Sequence, residues 1–354
     1  MILVPLMELL SYIAFSFVAG YLVFRLVRKQ EAAVQTPRSD VLAGAASAAL
    51  VTSGPVINLV SLIGAKDGYG KALLTVLFQT TAGHVWLGIF LLAICVWVLL
   101  YVNKLPVTTL VLFLGMLFLH AYGSHSSGSV MDTLAHFVHL SAAVFWVGVL
   151  VHVCFYTSKH FSWESFLKWF APFAAVLVMA VIGSGIIVML FAMDIQDYGN
   201  ALMLTYGQML LIKHIVFIPV LVFTVINLFL VRKVRQHPHF QPLNWIRAEA
   251  FLLAIVFACS ALLGSSAAPA DIAEALRNAG AAPIFGSIFQ RVTAGSVATW
   301  YMSITGIVCF VGAGLFLGSI LYFCKKRARA SFALAAACAA SGLLYAAIMS
   351  SLRF

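Results

Sequence analysis

The chain has 354 residues, of which only 9% are charged and 63% are hydrophobic. Residues of this composition cannot form a water-facing surface of normal polarity, which excludes an ordinary soluble protein and makes lipid the expected solvent. The net charge of +10 does not indicate nucleic-acid binding, because the basic residues are concentrated in short loops, where membrane topology explains them better.

Apolar segments recur along the whole chain, and each is long enough to cross a hydrocarbon core of about 30 Å as a helix. They lack the alternation of membrane β-strands, so their backbone groups must be satisfied within each segment. Ten spans are predicted, at 2–26, 41–63, 72–102, 106–123, 132–157, 169–193, 205–231, 245–268, 296–323 and 331–351. The sequence therefore predicts an all-α polytopic membrane protein with lipid as its main partner.

Basic residues cluster in the loops at 25–38, 232–235 and 325–329. Loops of this kind usually remain in the cytoplasm, so both termini are expected on the outer side. The first apolar segment has no basic leader and no small-residue cleavage site before Arg25. This pattern predicts a retained span rather than a signal peptide.

Methionine and cysteine are sorted across the predicted membrane. Most methionines fall in the outer half, including Met189 and Met193 at the outer end of the sixth span, whereas Cys95 and Cys324 lie toward the cytoplasm. Thioethers bind soft Cu(I) and cannot form disulfides, and thiols are safer on the reducing side. The sorting suits a protein that handles copper across a redox boundary. The alternative is that these residues only fill helix interfaces.

Histidine within a span is energetically costly and usually marks a pathway, a relay or a ligand. His136 and His139 share one face of the fifth span, and Asp132 lies one turn before His136 on that face. These three residues form a candidate half-site for a metal. For any single intramembrane histidine, the alternative is a hydrogen bond to a backbone carbonyl.

Further candidate ligands are expected at the same depth. His120 follows Met116 by four residues near the outer end of the fourth span, His125 lies in the outer loop, and Glu8 is an unpaired carboxylate in the first span. Imidazole, carboxylate and thioether groups together suit Cu(I) or Cu(II). His84, expected near the middle of the third span, is a candidate relay for a metal or a proton.

The two halves of the chain show a weak internal repeat. Residues 8–20 align with residues 136–148, and three further matches follow in the same order. This predicts two four-helix units in the same orientation, with Glu8 and His136 facing each other where the repeats meet. The predicted organisation is a first unit at 1–130, a second unit at 131–268, an outer loop at 269–295 and two C-terminal spans at 296–354.

Three groups of motifs occur in order between residues 119 and 269. They are Ser124-His125-Ser126 with Asp132 and the run 139–148, then 206–213 with Asn227, then Arg247-Ala248-Glu249 with the small residues of 264–269. In order and spacing they resemble the CopD family of bacterial copper resistance and copper uptake proteins. Ser124 stands where that family commonly has Gly.

The resemblance implies that copper is the cargo and that it moves inward across the bacterial cytoplasmic membrane. No soluble copper-binding domain is fused to the chain, so an extracytoplasmic donor protein is implied. Lys213, within the second motif group, is expected either to gate a cation path or to form a buried ion pair with Glu8, Asp194 or Asp197. Asn227 and Glu249 are expected either to hydrogen-bond across helices or to form an inner exit.

Other functions compete with copper transport. No nucleotide-binding loop or phosphorylation motif occurs, so an ATP-driven pump is not expected, and neither is an enzyme. A b-type haem electron-transfer protein is one alternative, with His84 and His214, or His139 and His84, as axial ligands. A second alternative is an assembly factor that delivers copper to an oxidase without moving it across the membrane.

Overall fold

The computed structural model describes residues 3–27, 34–124, 129–158, 161–236, 242–266, 271–289, 295–326 and 328–353. The regular secondary structure of these residues is helical apart from one short strand pair and an isolated bridge. Ten helical segments in this part of the chain are long and apolar enough to cross a membrane. The prediction of an all-α polytopic membrane protein with ten spans is therefore confirmed. The chain divides by its contacts into two compact units, 1–189 and 190–354.

The first unit is built from eight helices, the last of which ends three residues into the second unit. They are α1 (Leu3–Leu26), α2 (Arg38–Val51), α3 (Gly54–Asp67), α4 (Tyr69–Gln79), α5 (Thr81–Val102), α6 (Pro106–Ser124), α7 (Val130–Tyr156) and α8 (Trp163–Ala192). The spans formed by α1 and α7 are the most buried of the ten, because 56% and 61% of the residues in their apolar stretches are buried inside the protein. These two helices therefore form the centre of the unit.

Two glycines bring the backbones of α1 and α7 into direct contact. A Cβ atom added to Gly20 would lie 2.1 Å from the carbonyl oxygen of Gly148, and one added to Gly148 would lie 2.2 Å from the carbonyl oxygen of Ser16. Small residues allow such close packing between helices in lipid. Gly20 and Gly148 are also aligned by the proposed repeat, although the duplication itself stays a prediction.

The predicted third span is wrong at its beginning. Residues 72–102 do not form one helix, because Thr80 is extended (φ −119°, ψ 150°) and separates α4 from α5. The Thr80 side chain accepts a hydrogen bond from the Gly83 amide at 3.1 Å, which caps a new helix. With 11 residues, α4 is about 16 Å long and too short to cross the hydrocarbon core.

The second unit contains seven helices after the end of α8, a short 3-10 turn and two short strands. They are the turn Ile195–Asp197, α9 (Tyr198–Ala201), α10 (Thr205–Gln236), α11 (Leu243–Gly264), α12 (Ile272–Ala279), α13 (Pro283–Ile288), β1 (Thr299–Trp300), α14 (Ile304–Lys325), α15 (Ala330–Ser350) and β2 (Leu352–Arg353). β1 and β2 pair antiparallel, with Thr299 opposite Arg353. The span α14 therefore begins later than residue 296, after Ser303, whose hydroxyl caps it through the Gly306 amide at 2.8 Å.

The segment predicted as an outer loop, 269–295, contains α12 and α13. Both helices contribute to the core of the second unit, where Leu276 and Phe285 are buried beside Leu202, Leu211 and Leu344. The Ala282 amide donates to the carbonyl oxygen of Met203 at 2.8 Å. This segment is thus packed onto the ends of the spans, and its position on the outer side stays a prediction.

Candidate functional site

A partly buried carboxylate and a buried imidazole join α1 to α6. His120 Nε2 lies 3.0 Å from Glu8 Oε1, and the two side chains are only 9% and 12% exposed. Tyr12 also hydrogen-bonds to the Glu8 carboxylate, and the ring of Phe15 contacts the His120 ring edge-on at 5.3 Å. The expectation that Glu8 is unpaired was therefore wrong. An ionisable side chain within a span is stable only when it has such partners.

One turn further along α6, Ser124 contacts His136 of α7. Ser124 Oγ donates to the carbonyl oxygen of Ala121 at 3.0 Å and lies 3.0 Å from His136 Nδ1. Since the single hydroxyl proton is used on Ala121, we assign the second hydrogen bond to donation from His136 Nδ1–H. The lone pair of the His136 ring is then on Nε2.

His139 is held against α8 in the same tautomer. Its Nδ1 lies 3.0 Å from the carbonyl oxygen of Val181 and 3.3 Å from Ser184 Oγ. A carbonyl oxygen can only accept, so His139 Nδ1 carries the proton and Nε2 carries the lone pair. Histidines that ligate metals commonly donate their other ring N–H to a carbonyl in this way. The contact also matches the alternative of a core histidine bonded to the backbone.

The candidate ligands Glu8, His120 and His136 are thus arranged along α6. The α6 helix holds Glu8 through His120 and holds His136 through Ser124, and His120 and Ser124 are one turn apart. Met116 is buried and lies one turn before His120 on the same helix. Asp132 is buried one turn before His136. The structure therefore joins carboxylate and imidazole candidates directly and places a thioether one turn away.

Some predicted ligands lie outside this group. His125 falls outside the described residues. Met189 and Met193 do not belong to one helix, because α8 ends at Ala192. Met193 instead lines a cavity of about 510 Å³ in the second unit, together with Asp194 and Asp197. Within the described ranges, no three His, Cys, Asp or Glu side chains are close enough to hold one metal ion. A complete ligand set there would need a thioether or a rearrangement.

The position of His84 differs from the prediction. It lies in the first turn of α5 rather than near the middle of a span, it is exposed, and its Nε2 is 2.9 Å from the carbonyl oxygen of Phe78. The helix break at Thr80 is the reason for the difference. This hydrogen bond occupies the nitrogen that would most readily bind a haem iron. The role of His84 as a relay stays a prediction.

The second unit holds the other predicted polar residues. Lys213 of α10 is in electrostatic contact with Cys259 of α11, and among the described residues it makes no ion pair with Asp194 or Asp197. Asn227 of α10 does hydrogen-bond across helices, because its Nδ2 donates to Glu249 Oε2 of α11. Sequence reasoning missed Thr224, whose hydroxyl lies 3.0 Å from Glu249 Oε1. Thr224 lies three residues before Asn227 and so shares its helix face, and this spacing could have identified Thr224 from the sequence.

Residues 164–263 match the profile of the family Copper resistance protein D, CopD. This part of the chain is similar to the CopD family. The CopD match includes Lys213, Asn227 and Glu249, whereas Glu8, His120, His136 and His139 lie before it. The resemblance stated from the motifs is therefore confirmed.

A curated relative extends the similarity. The chain is 27% identical over 259 residues to the Copper transport protein CutJ of Bacillus subtilis (strain 168), and the match covers 64% of this chain and 46% of CutJ. The chain thus spans about half the length of this relative. No solved structure matches. The relative and the CopD profile both refer to copper, and neither supports the haem alternative.

Proposed function

We propose that this protein carries copper inward across the bacterial cytoplasmic membrane and that Glu8, His120, His136 and His139 form its copper entry site. The arrangement along α6 carries the proposal, since one helix binds the Glu8 carboxylate through His120 and the His136 imidazole through Ser124. The CopD family match and the name of the relative support copper as the cargo. We propose transport rather than enzymatic catalysis.

Copper would enter by replacing the hydrogen bond between Glu8 and His120. That bond ties up the Glu8 carboxylate and one ring nitrogen of His120, which are both copper ligands when released. His136 and His139 already carry their lone pairs on Nε2, because their Nδ1 protons are donated elsewhere. The thioether of Met116 would add a soft ligand that favours Cu(I). The proposed site is thus closed before copper arrives.

The inward direction rests on the charge pattern. The basic loops at 25–38, 232–235 and 325–329 favour a cytoplasmic position, which would put both termini and the Glu8 and His120 end of the spans outside. Copper would then be received from the outer side, where an extracytoplasmic donor protein is the proposed partner.

Copper uptake into proteoliposomes tests the proposal. Purified protein should accumulate Cu(I) inside the vesicles, and the Glu8→Gln variant should do so at a strongly reduced rate because its amide is a poor copper ligand. Glu164→Gln is the matched control, since Glu164 is a carboxylate paired with Lys168 at 2.9 Å on the surface of α8. Copper binding without accumulation would contradict transport and would be the result expected of a delivery factor.

A further inference from the structure

A buried histidine of α7 keeps one ring nitrogen without a hydrogen-bond partner. The His152 side chain is fully buried, and its Nδ1 lies 3.0 Å from the carbonyl oxygen of Gly148, one turn earlier in the helix. A carbonyl oxygen only accepts, so Nδ1 carries the proton and the lone pair of the neutral ring is on Nε2. Within the ranges that the structure describes, no donor reaches this Nε2 atom.

The His152 ring lies against the close contact between α1 and α7. A Cβ atom added to Gly20 of α1 would lie 2.4 Å from His152 Nδ1, so the ring fills the space that Gly20 leaves open. The hydrogen bond to Gly148 and the packing against Gly20 together fix its position. Buried polar atoms in native proteins nearly always have a partner, and a buried acceptor without a donor is unfavourable. The lone pair on Nε2 is therefore available to a group that the chain itself does not supply.

Aromatic rings surround the imidazole. The ring centroids of Phe17, Tyr156 and Phe24 lie 4.8, 5.7 and 6.2 Å from that of His152. The two phenylalanine rings have no polar atom, and the Tyr156 hydroxyl donates to Asp40 Oδ2 at 2.9 Å. A buried water molecule usually makes about three hydrogen bonds to protein groups, which these rings do not offer. The surroundings of Nε2 thus favour a different occupant.

The chemistry of this place suits a soft cation. Imidazole nitrogen is a good ligand for copper, and histidines that ligate metals commonly donate their other ring N–H to a carbonyl, as His152 does to Gly148. The faces of aromatic rings attract a cation within about 6 Å, a distance that the Phe17 and Tyr156 rings satisfy relative to the imidazole. The contacts described for His152 include no carboxylate, which a hard cation would prefer.

The position of His152 suits the inner part of a copper path. His152 lies one turn before Tyr156, the last residue of α7, and about 20 Å along the helix from His139 of the proposed entry site. Tyr156 donates to Asp40, which follows the basic loop 25–38 that is expected in the cytoplasm. Polar groups therefore continue from the aromatic enclosure toward that loop.

We propose that His152 Nε2, enclosed by Phe17, Phe24 and Tyr156, is an inner Cu(I) site that receives copper after the entry site and releases it toward Asp40. The choice of copper rests on the proposed function, whereas the free lone pair and its aromatic enclosure do not. Cu(I) would bind a lone pair that is already available, so no covalent bond breaks and no proton or electron moves.

Competition for Cu(I) between the purified full chain and a chelator, under reducing conditions in detergent, tests this site. His152→Phe fills the enclosure with a ring that has no lone pair, and it should bind one Cu(I) fewer than the wild type. The Glu8→Gln, His139→Gln double variant should instead lose the entry site and keep the Cu(I) that His152 holds. His84→Phe is the matched control, because His84 is exposed, and it should bind as the wild type does. Equal Cu(I) stoichiometry in wild type and His152→Phe would overturn the inner site.

The melting temperature without copper separates loss of a ligand from loss of the fold. His152→Phe removes a buried acceptor that has no donor, so it should melt at or above the wild-type temperature. Phe17→Leu is a second variant, which keeps the imidazole and removes one aromatic face. It should weaken Cu(I) binding at His152 several-fold, and unchanged affinity would overturn the role of the aromatic enclosure.

Copper uptake into proteoliposomes tests whether the inner site belongs to the path. His152→Phe should accumulate Cu(I) at a strongly reduced rate although its entry site still binds copper. Uptake at the wild-type rate would overturn the place of His152 in the path and leave the proposed transport intact. Absence of uptake by the wild type would instead refute the proposed function, and the chelator competition would still decide whether His152 binds Cu(I).

Discussion

Loss of one partner of the pair between Glu8 and His120 should destabilise the protein more than loss of both. The His120→Leu substitution is the informative change, because leucine fills much of the space of the ring but cannot donate to Glu8 Oε1. Glu8 would keep its hydrogen bond to Tyr12 and would lose the contact of 3.0 Å that joins α1 to α6.

The expected magnitude follows from the burial of the pair. Removal of one partner of a buried hydrogen bond costs about 1–3 kcal/mol, and more when the remaining group is charged, because that group stays buried with one donor fewer. Glu8 retains Tyr12 and is 12% exposed, so we expect a loss of about 2 kcal/mol. Replacement of both residues by leucine should cost much less, since apolar groups can substitute for a buried pair.

Denaturation in mixed micelles measures these differences in a double-mutant cycle. The variants are His120→Leu, Glu8→Leu and the double substitution. His84→Leu is the control, because His84 is exposed and would lose one hydrogen bond, to Phe78, worth about 1 kcal/mol. Additive effects of the two single substitutions would refute the reasoning, since they would mean that Glu8 and His120 do not stabilise each other.

Three further predictions concern packing, copper binding and topology. Gly20→Ala should lower the melting temperature clearly, because its Cβ would lie 2.1 Å from the Gly148 carbonyl oxygen. Gly314→Ala is the control and should not lower it, because nothing lies within 4 Å of the added Cβ. Equal melting temperatures for the two variants would contradict the close contact of α1 and α7. His139→Gln can still donate to Val181 and should keep the melting temperature but weaken copper binding at least tenfold, about 1.4 kcal/mol, and unchanged affinity would remove His139 from the site. The C-terminus should lie on the outer side, so a reporter that is active only in the cytoplasm should be inactive when it is fused after residue 354. Activity of that reporter would contradict the ten-span topology.

Hydropathy was sufficient for the fold class and for most of the spans. Lipid forces each apolar segment to satisfy its own backbone groups, so a run of sufficient length becomes a helix whatever its neighbours are. Helical spacing likewise placed His136 one turn from Asp132 and His120 one turn from Met116 without any knowledge of tertiary contacts. Span formation and the spacing of residues on a helix face depend only on nearby residues, so the local sequence is enough to predict them.

Hydropathy could not locate the break at Thr80. The segments before Gln79 and after Thr81 are predominantly apolar, and the helix ends there because Thr80 is extended and its hydroxyl caps the next helix through Gly83. That difference moved His84 from the middle of a predicted span to the first turn of α5. A residue can change the direction of the chain while it barely changes the mean hydropathy of its segment.

The partners of the buried polar residues depended on the packing of helices that are far apart in the chain. Glu8 meets His120 across 112 residues, and His139 meets Val181 across 42. Helical period predicts which face a residue occupies, but every helix has several apolar neighbours in lipid, and hydrophobicity does not distinguish among them. Close contacts such as Gly20 against Gly148, and hydrogen bonds that only one arrangement can make, decide which faces meet and therefore which side chains can share a copper ion.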